Sequence, residues 1–222
     1  ANARHGHRAA KFDASSRVGI NAVGPHGASN IISYTLWIKT SQQNIEMTLV
    51  HYGKIWGEIK DSASEKDIHT LTLDNGNPVF YTNYDSMLTS VDALALNDNR
   101  WHHLAVSMPK KSCLTSEIDI YVDGKKIQMK GPKIDKNIFH MTSGRMSLGG
   151  FGYAADGYEN AMPQLRPYVG LMDDFMVFAR PLRKTDFLWM LKRNFLKAVG
   201  WTCDKTSNSW ETFPDEFKIC SM

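Results

Sequence analysis

The stretch SEIDIYVDGKK, residues 116–126, admits two incompatible readings, and the choice between them decides the fold. Glu117 and Asp119 stand two apart, the spacing that puts two side chains on one face of a strand. Retaining glycosidases need such a carboxyl pair, about 5 Å apart, as nucleophile and acid/base. The same residues also describe a strand running into a hairpin. Ile118, Ile120 and Val122 then point inward, and Asp123-Gly124 makes the two-residue turn that type I′ geometry favours. On that reading Glu117, Asp119 and Tyr121 share the outward face beside Lys125 and Lys126, where the acids offset positive charge.

The flanking sequence repeats the hairpin pattern. KFDASSRVGI, ISYTLWIKT, EMTLVHYGKIW, IHTLTLDNGNPVFYTN, WHHLAVSM, GRMSLGGF and YVGLMDDFMVFARPL are short segments set between turn residues. In WHHLAVSM, His102, Leu104, Val106 and Met108 fall on one face; Trp101, His103, Ala105 and Ser107 fall on the other. Asp74, Asn75 and Gly76 tolerate positive φ and mark a further hairpin. Many short strands with turn signals between them predict an all-β antiparallel sandwich or barrel.

One segment alone has a helical period. Over 185–199, Phe187, Leu188, Leu191, Phe195 and Val199 form a stripe, with Thr185 as N-cap and Gly200 as C′ stop. One amphipathic helix at the end of a β chain is expected to pack on the sheets. The chain then divides into an N-terminal arm (1–10), one domain (11–200) and a C-terminal tail (201–222).

A chain of 222 residues, 42% hydrophobic and 22% charged, suits a single all-β domain. No apolar run is long enough to span a bilayer. A net charge of +3 does not point to nucleic acid without clustering. Cys203 and Cys220 bracket a short polar tail, as a disulfide-closed loop would, worth about 3 kcal/mol on chain-entropy grounds. Cys113 is left over: unpaired, paired outside the chain, or partner to one of the other two. This usage points to an oxidising, extracellular setting.

The ordered set KFDASSRVGI, YTLWIKT, NDNRWHHLAVSM, IDIYVDGKKI, MSLGGF and YVGLMDDFMVFARPL resembles the laminin G-like branch of the concanavalin A-like jelly-roll superfamily, which includes pentraxins. The resemblance covers roughly residues 10–195. It implies a two-sheet jelly roll, and it places the YVDG hairpin where 116–126 lies. The superfamily's glucanase branch carries Glu-x-Asp-x-Glu or a one-residue-longer form on its catalytic strand. Here the third position falls on Tyr121 or Val122, and neither is a carboxyl. Asp123 has the right parity but belongs to the turn.

Other sites are weighed on the same terms. Many laminin G modules bind Ca²⁺ through hard oxygen ligands at a sandwich rim. Asp156 and Glu159 are the acids a single weak calcium site would use, although their spacing departs from the pentraxin pattern. Asp173 and Asp174, adjacent on a strand, point to opposite sides, and an acid there is expected to hydrogen-bond nearby backbone. His102 and His103 face opposite sides and cannot chelate one metal together. Lysines crowd the connections around 116–126, among them Lys125, Lys126, Lys130 and Lys133; Arg183, Lys184 and Arg193 crowd the final turn and helix. Such patches suit anionic glycans, which several laminin G modules bind.

The expectation is a non-catalytic binding or adhesion module, extracellular or at the cell surface. It would recognise a glycan or an extracellular protein, with no membrane span, no nucleic acid and no required cofactor. The alternative is a structural subunit assembled through Cys113 or the terminal segments; a glycoside hydrolase ranks below both.

Overall fold

The computed structural model describes residues 9–15, 18–20, 33–52, 69–82, 86–109, 112–131, 137–139, 146–150, 165–191 and 218–219. In chain order the strands are β1 (Ala10–Asp13), β2 (Val18–Ile20), β3 (Ser33–Lys39), β4 (Glu46–Tyr52), β5 (His69–Asp74), β6 (Asn77–Thr82), β7 (Ser86–Ser90), β8 (His102–Ser107) and β9 (Ser112–Leu114). They continue as β10 (Asp119–Val122), β11 (Lys125–Lys126), β12 (Met129–Lys130), β13 (Asn137–Phe139), β14 (Met146–Leu148), β15 (Leu165–Pro167), β16 (Val169–Phe178) and β17 (Lys218–Ile219). Among the described residues, one α-helix, α1 (Lys184–Leu191), follows β16.

The strands form two main sheets. A seven-stranded sheet runs β1-β16-β3-β8-β10-β11, with β17 also on β16. An eight-stranded sheet runs β12-β7-β6-β5-β4-β14-β2, with β15 on β4. All pairs within them are antiparallel except β15 with β4. The fold is therefore the expected β-sandwich.

Alternation builds the core. Tyr34, Leu36 and Ile38 of β3 meet Leu104 and Val106 of β8 and Ile120 and Val122 of β10 from one side. Met47, Val50, Tyr52, Leu71, Leu73 and Phe80 meet them from the other. His69 lies inside this core, stacked on Tyr52 (4.9 Å between ring centroids), Phe80 (5.4 Å) and Tyr34 (5.9 Å). Gly149, at φ +72°, sits under the Phe12 ring, where an added Cβ would lie 2.2 Å from a ring carbon. That contact explains why the strand before it closes on glycine.

Four expectations need correction. Glu117 is not on the strand: it ends a 3₁₀ turn, Thr115–Glu117, and its carboxylate accepts the Leu114 N–H at 2.7 Å. Asp173 and Asp174 are successive residues of β16 but do not simply alternate, although an acid there does bond nearby backbone as expected. Asp174 has φ +46° and lies in a bulge between Asp173 and Met176, and its N–H donates to Asp173 Oδ1 at 3.0 Å. The extra residue resets the alternation, so Phe175 points into the core while Met176 and Phe178 point outward. Thr185 lies within α1 and does not cap it. Asp186, in the first turn, reaches back to the Arg183 N–H at 2.5 Å and holds Arg180 in a two-point ion pair. Cys113 is buried in the core and presents no thiol for assembly with a second chain.

The bulge and the cap together seat the helix. Phe187 and Met190 bury against Ala105, Met176, Phe178 and Leu182, and the Phe187 ring packs 4.4 Å from Tyr121. The expected stripe continues beyond residue 191, outside the described residues, as do the arm 1–8 and most of the tail. Lys218–Ile219 of that tail pairs with Val177 and Met176.

Candidate functional site

Among the described residues, two regions bring charged and polar side chains together. The first is the hairpin end of the seven-stranded sheet. Asp123 and Gly124 have φ +50° and +78°, both positive as a type I′ turn requires. Past the turn, β11 pairs with β10, and β12 then pairs with β7 of the other sheet. The segment 125–130 thus crosses from one sheet's edge to the other's, with Lys125, Lys126 and Lys130 exposed along it. Asp119 Oδ1 lies 2.5 Å from Lys126 Nζ, so the acid that a catalytic pair would need is engaged by a lysine.

The turn is tied to the loop before β8 by His102. Its Nδ1 lies 2.9 Å from Asp123 Oδ2 and its Nε2 3.0 Å from Asp98 Oδ1. The Asp123 hydrogen bond raises the imidazole pKa; burial opposes this and the Asp98 hydrogen bond adds to it. Burial alone would raise the Asp98 carboxyl, yet hydrogen bonds from Arg100 and His102 outweigh it and hold it at about 2. Asp123 is lowered likewise: burial is outweighed by His102 and by the His103 backbone N–H.

The second region is the outer face of the eight-stranded sheet. Cross-strand register aligns Ser147, His51, Thr70 and Tyr81 in one row, and Thr48 and Thr72 in the next. These polar side chains point away from the core yet are buried. Thr72 Oγ1 and Tyr81 OH donate to Glu46 Oε1 at 2.6 and 2.8 Å. Burial raises the Glu46 carboxyl, and those two hydrogen bonds oppose it. His51 Nδ1 lies 2.9 Å from Thr70 Oγ1, and burial pushes its pKa down to about 3.

Residues 12–186 match the laminin G family model described as the concanavalin A-like lectin/glucanases superfamily. The chain belongs to this superfamily. This laminin G-like domain is similar to domain 4 of AbnA, a GH43 extracellular arabinanase of Geobacillus stearothermophilus solved with arabinotriose. Identity is 17% and the TM-score 0.55, over 83% of this chain and 76% of that one. It is also similar to a heptameric SAP-like pentraxin of Limulus polyphemus, at 13% identity and a TM-score of 0.52, over 85% and 79%. The mouse laminin α1 LG4-5 fragment matches at 17% identity and a TM-score of 0.47, over 69% of this chain and 37% of its own. The chain thus spans little more than a third of that fragment. The likenesses to the arabinanase domain and the pentraxin speak for the fold alone. No curated protein matches the sequence.

Within the domain, the structure separates the anticipated basic residues. Lys125, Lys126 and Lys130 share one edge. Arg183 and Lys184 sit at the start of α1, where the Leu182 N–H donates to Ser107 Oγ at 2.9 Å. The other end of α1 reaches the turn, Leu191 lying against Gly124. The two basic groups therefore stand at opposite ends of the helix. Lys133, Arg193, Asp156, Glu159, Cys203 and Cys220 lie outside the described residues. Sequence reasoning passed over Glu46 and His51. Their signal was the polar parity of EMTLVHY and HTLTLD, and a bulge between Thr48 and Val50 hides it in the first.

Proposed function

We propose that this domain is a non-catalytic binding module that takes an anionic glycan along its lysine-bearing edge, in an extracellular or cell-surface setting. The observation that carries the reading is the exposure of Lys125, Lys126 and Lys130 along the crossover between the two sheets. Asp119 offsets Lys126, which leaves Lys125 and Lys130 to meet sulfate or carboxylate groups. Exposed lysines on short edge strands also discourage edge-to-edge pairing, so the patch serves solubility and recognition at once.

The pair in 116–126 supports the non-catalytic side. Glu117 is held by its own turn and Asp119 by Lys126, on different elements, which is no arrangement for a nucleophile and an acid. Recognition through this edge needs no cofactor. A glycan array with sulfated and neutral members, run with and without a chelator, tests the reading. Binding is expected on sulfated members, weakened by salt and indifferent to chelation. Retention of neutral glycans alone, or cleavage of any bound glycan, would contradict it. Loss on chelation would move the site to a metal such as one at Asp156 and Glu159.

A further inference from the structure

Both ring nitrogens of His102 face a carboxylate: Asp123 Oδ2 at 2.9 Å and Asp98 Oδ1 at 3.0 Å. An ionised carboxylate only accepts hydrogen bonds, so each contact needs a proton on the nitrogen facing it. Neutral imidazole has one N–H; only the imidazolium fills both. Each acid is also held from behind. Arg100 Nε bonds Asp98 Oδ2, and the His103 N–H donates to Asp123 Oδ1 at 2.9 Å. The Asp123 N–H returns to the His103 carbonyl at 2.8 Å. The cross-strand neighbour on β3 is Ile38, which is apolar. Among the described residues, then, the charges around His102 are Asp98 and Asp123, with Arg100 behind the first and the His103 ring beside the second.

We propose that protonated His102 is a latch tying the loop ahead of β8 to the β10–β11 turn, and that loss of its proton releases the turn from the loop. Once neutral, the ring keeps one carboxylate and turns a lone pair on the other at about 3 Å. Two acceptors do not stay at that distance, so one side must move. The His102 side chain is 12% exposed, but Asp98 and Asp123 are 27% and 45% exposed, so water can solvate whichever carboxylate swings away. Lys125 directly follows the turn, so release also loosens the edge that carries the lysines. This last consequence rests on the proposed glycan reading; the latch itself does not.

The signs are fixed by the surroundings. A histidine raised above its ordinary value of about 6.5 holds the latch fully below that pH. The latch is lost as pH rises through the higher folded value. The acids are already ionised throughout this range.

Nitrogen-detected NMR of the imidazoles, together with amide exchange from pH 6 to 9, tests the latch on the intact chain. His102 is expected to carry protons on both nitrogens at neutrality and to titrate above about 6.5. After correction for intrinsic rates, His103 amide exchange should rise tenfold or more across that titration. Asp123→Asn keeps a residue that tolerates positive φ and an oxygen for the His103 N–H, but removes the charge. It should lower the His102 midpoint by about a pH unit or more without unfolding the turn. His102→Gln should leave the exchange flat with pH. A neutral single tautomer at pH 7, or exchange at His103 that ignores the titration, would overturn the latch. Sulfated-oligosaccharide affinity should fall across the same midpoint. Affinity that stays flat while the NMR behaves as expected would overturn the link to the ligand and leave the latch standing.

Discussion

The two sheets of this sandwich treat their outer faces differently. The seven-stranded sheet turns Ala105, Tyr121, Met176 and Phe178 outward and packs them with α1, Tyr121 only partly buried. The eight-stranded sheet turns Glu46, Thr48, His51, Thr70, Thr72 and Tyr81 outward, burying all of them but the half-buried Glu46. One face is apolar; the other is polar, with hydrogen bonds joining Thr72 and Tyr81 to Glu46 and His51 to Thr70. The contrast separates what stabilises the domain non-directionally from what requires each donor to meet its acceptor.

The largest expected effect lies under the helix. Phe187 is 4% exposed, and Phe187→Ala should cost about 3–5 kcal/mol in urea unfolding. A loss below about 1 kcal/mol would mean that α1 only rests on the sheet. Next comes the buried histidine of the polar face. His51 is depressed from its ordinary value to about 3, so its stabilisation is complete above about pH 6.5 and is lost as pH falls toward 3. Stability should fall by up to about 1.4 kcal/mol per pH unit over that window. His51→Gln should flatten the slope; an unchanged slope would show that other groups carry it.

A smaller change tests the hydrogen bonds of that face. Tyr81→Phe removes one of two donors to Glu46 Oε1 and should cost about 1 kcal/mol, with the Glu46 carboxyl titrating higher still. An unmoved Glu46 titration would break the claimed coupling. The smallest effect belongs to the exposed rim. Asp119→Asn should change stability by less than about 1 kcal/mol, because Asp119 and Lys126 are both solvated. The same change should strengthen binding of a sulfated oligosaccharide, since it frees a lysine.

Much of this was legible in the sequence because alternation and turn chemistry are local. Ile118, Ile120 and Val122 point inward as their spacing implied, and Asp123-Gly124 and Asn75-Gly76 take the positive φ their residue types allow. What failed was set by neighbours distant in sequence or by one inserted residue. Glu117 looks like a strand residue until its carboxylate closes a turn on Leu114. Asp174 resets the parity of β16, and no pattern of two announces that. His69 and His51 share the same letter, yet one stacks among aromatic rings inside the core and the other bonds Thr70 on the far face. The latch at His102 joins residues 98, 102 and 123, and only the pairing of β8 with β10 brings them together.

The most direct test of the functional reading is calorimetric titration of a sulfated oligosaccharide at two salt concentrations. It compares the native chain with a Lys125→Glu/Lys130→Glu variant. The account expects salt-weakened binding by the native chain. The variant should bind at least tenfold more weakly, a loss of about 1.4 kcal/mol, with unchanged thermal unfolding. Equal affinity in the two proteins, or native binding that ignores salt, would contradict it.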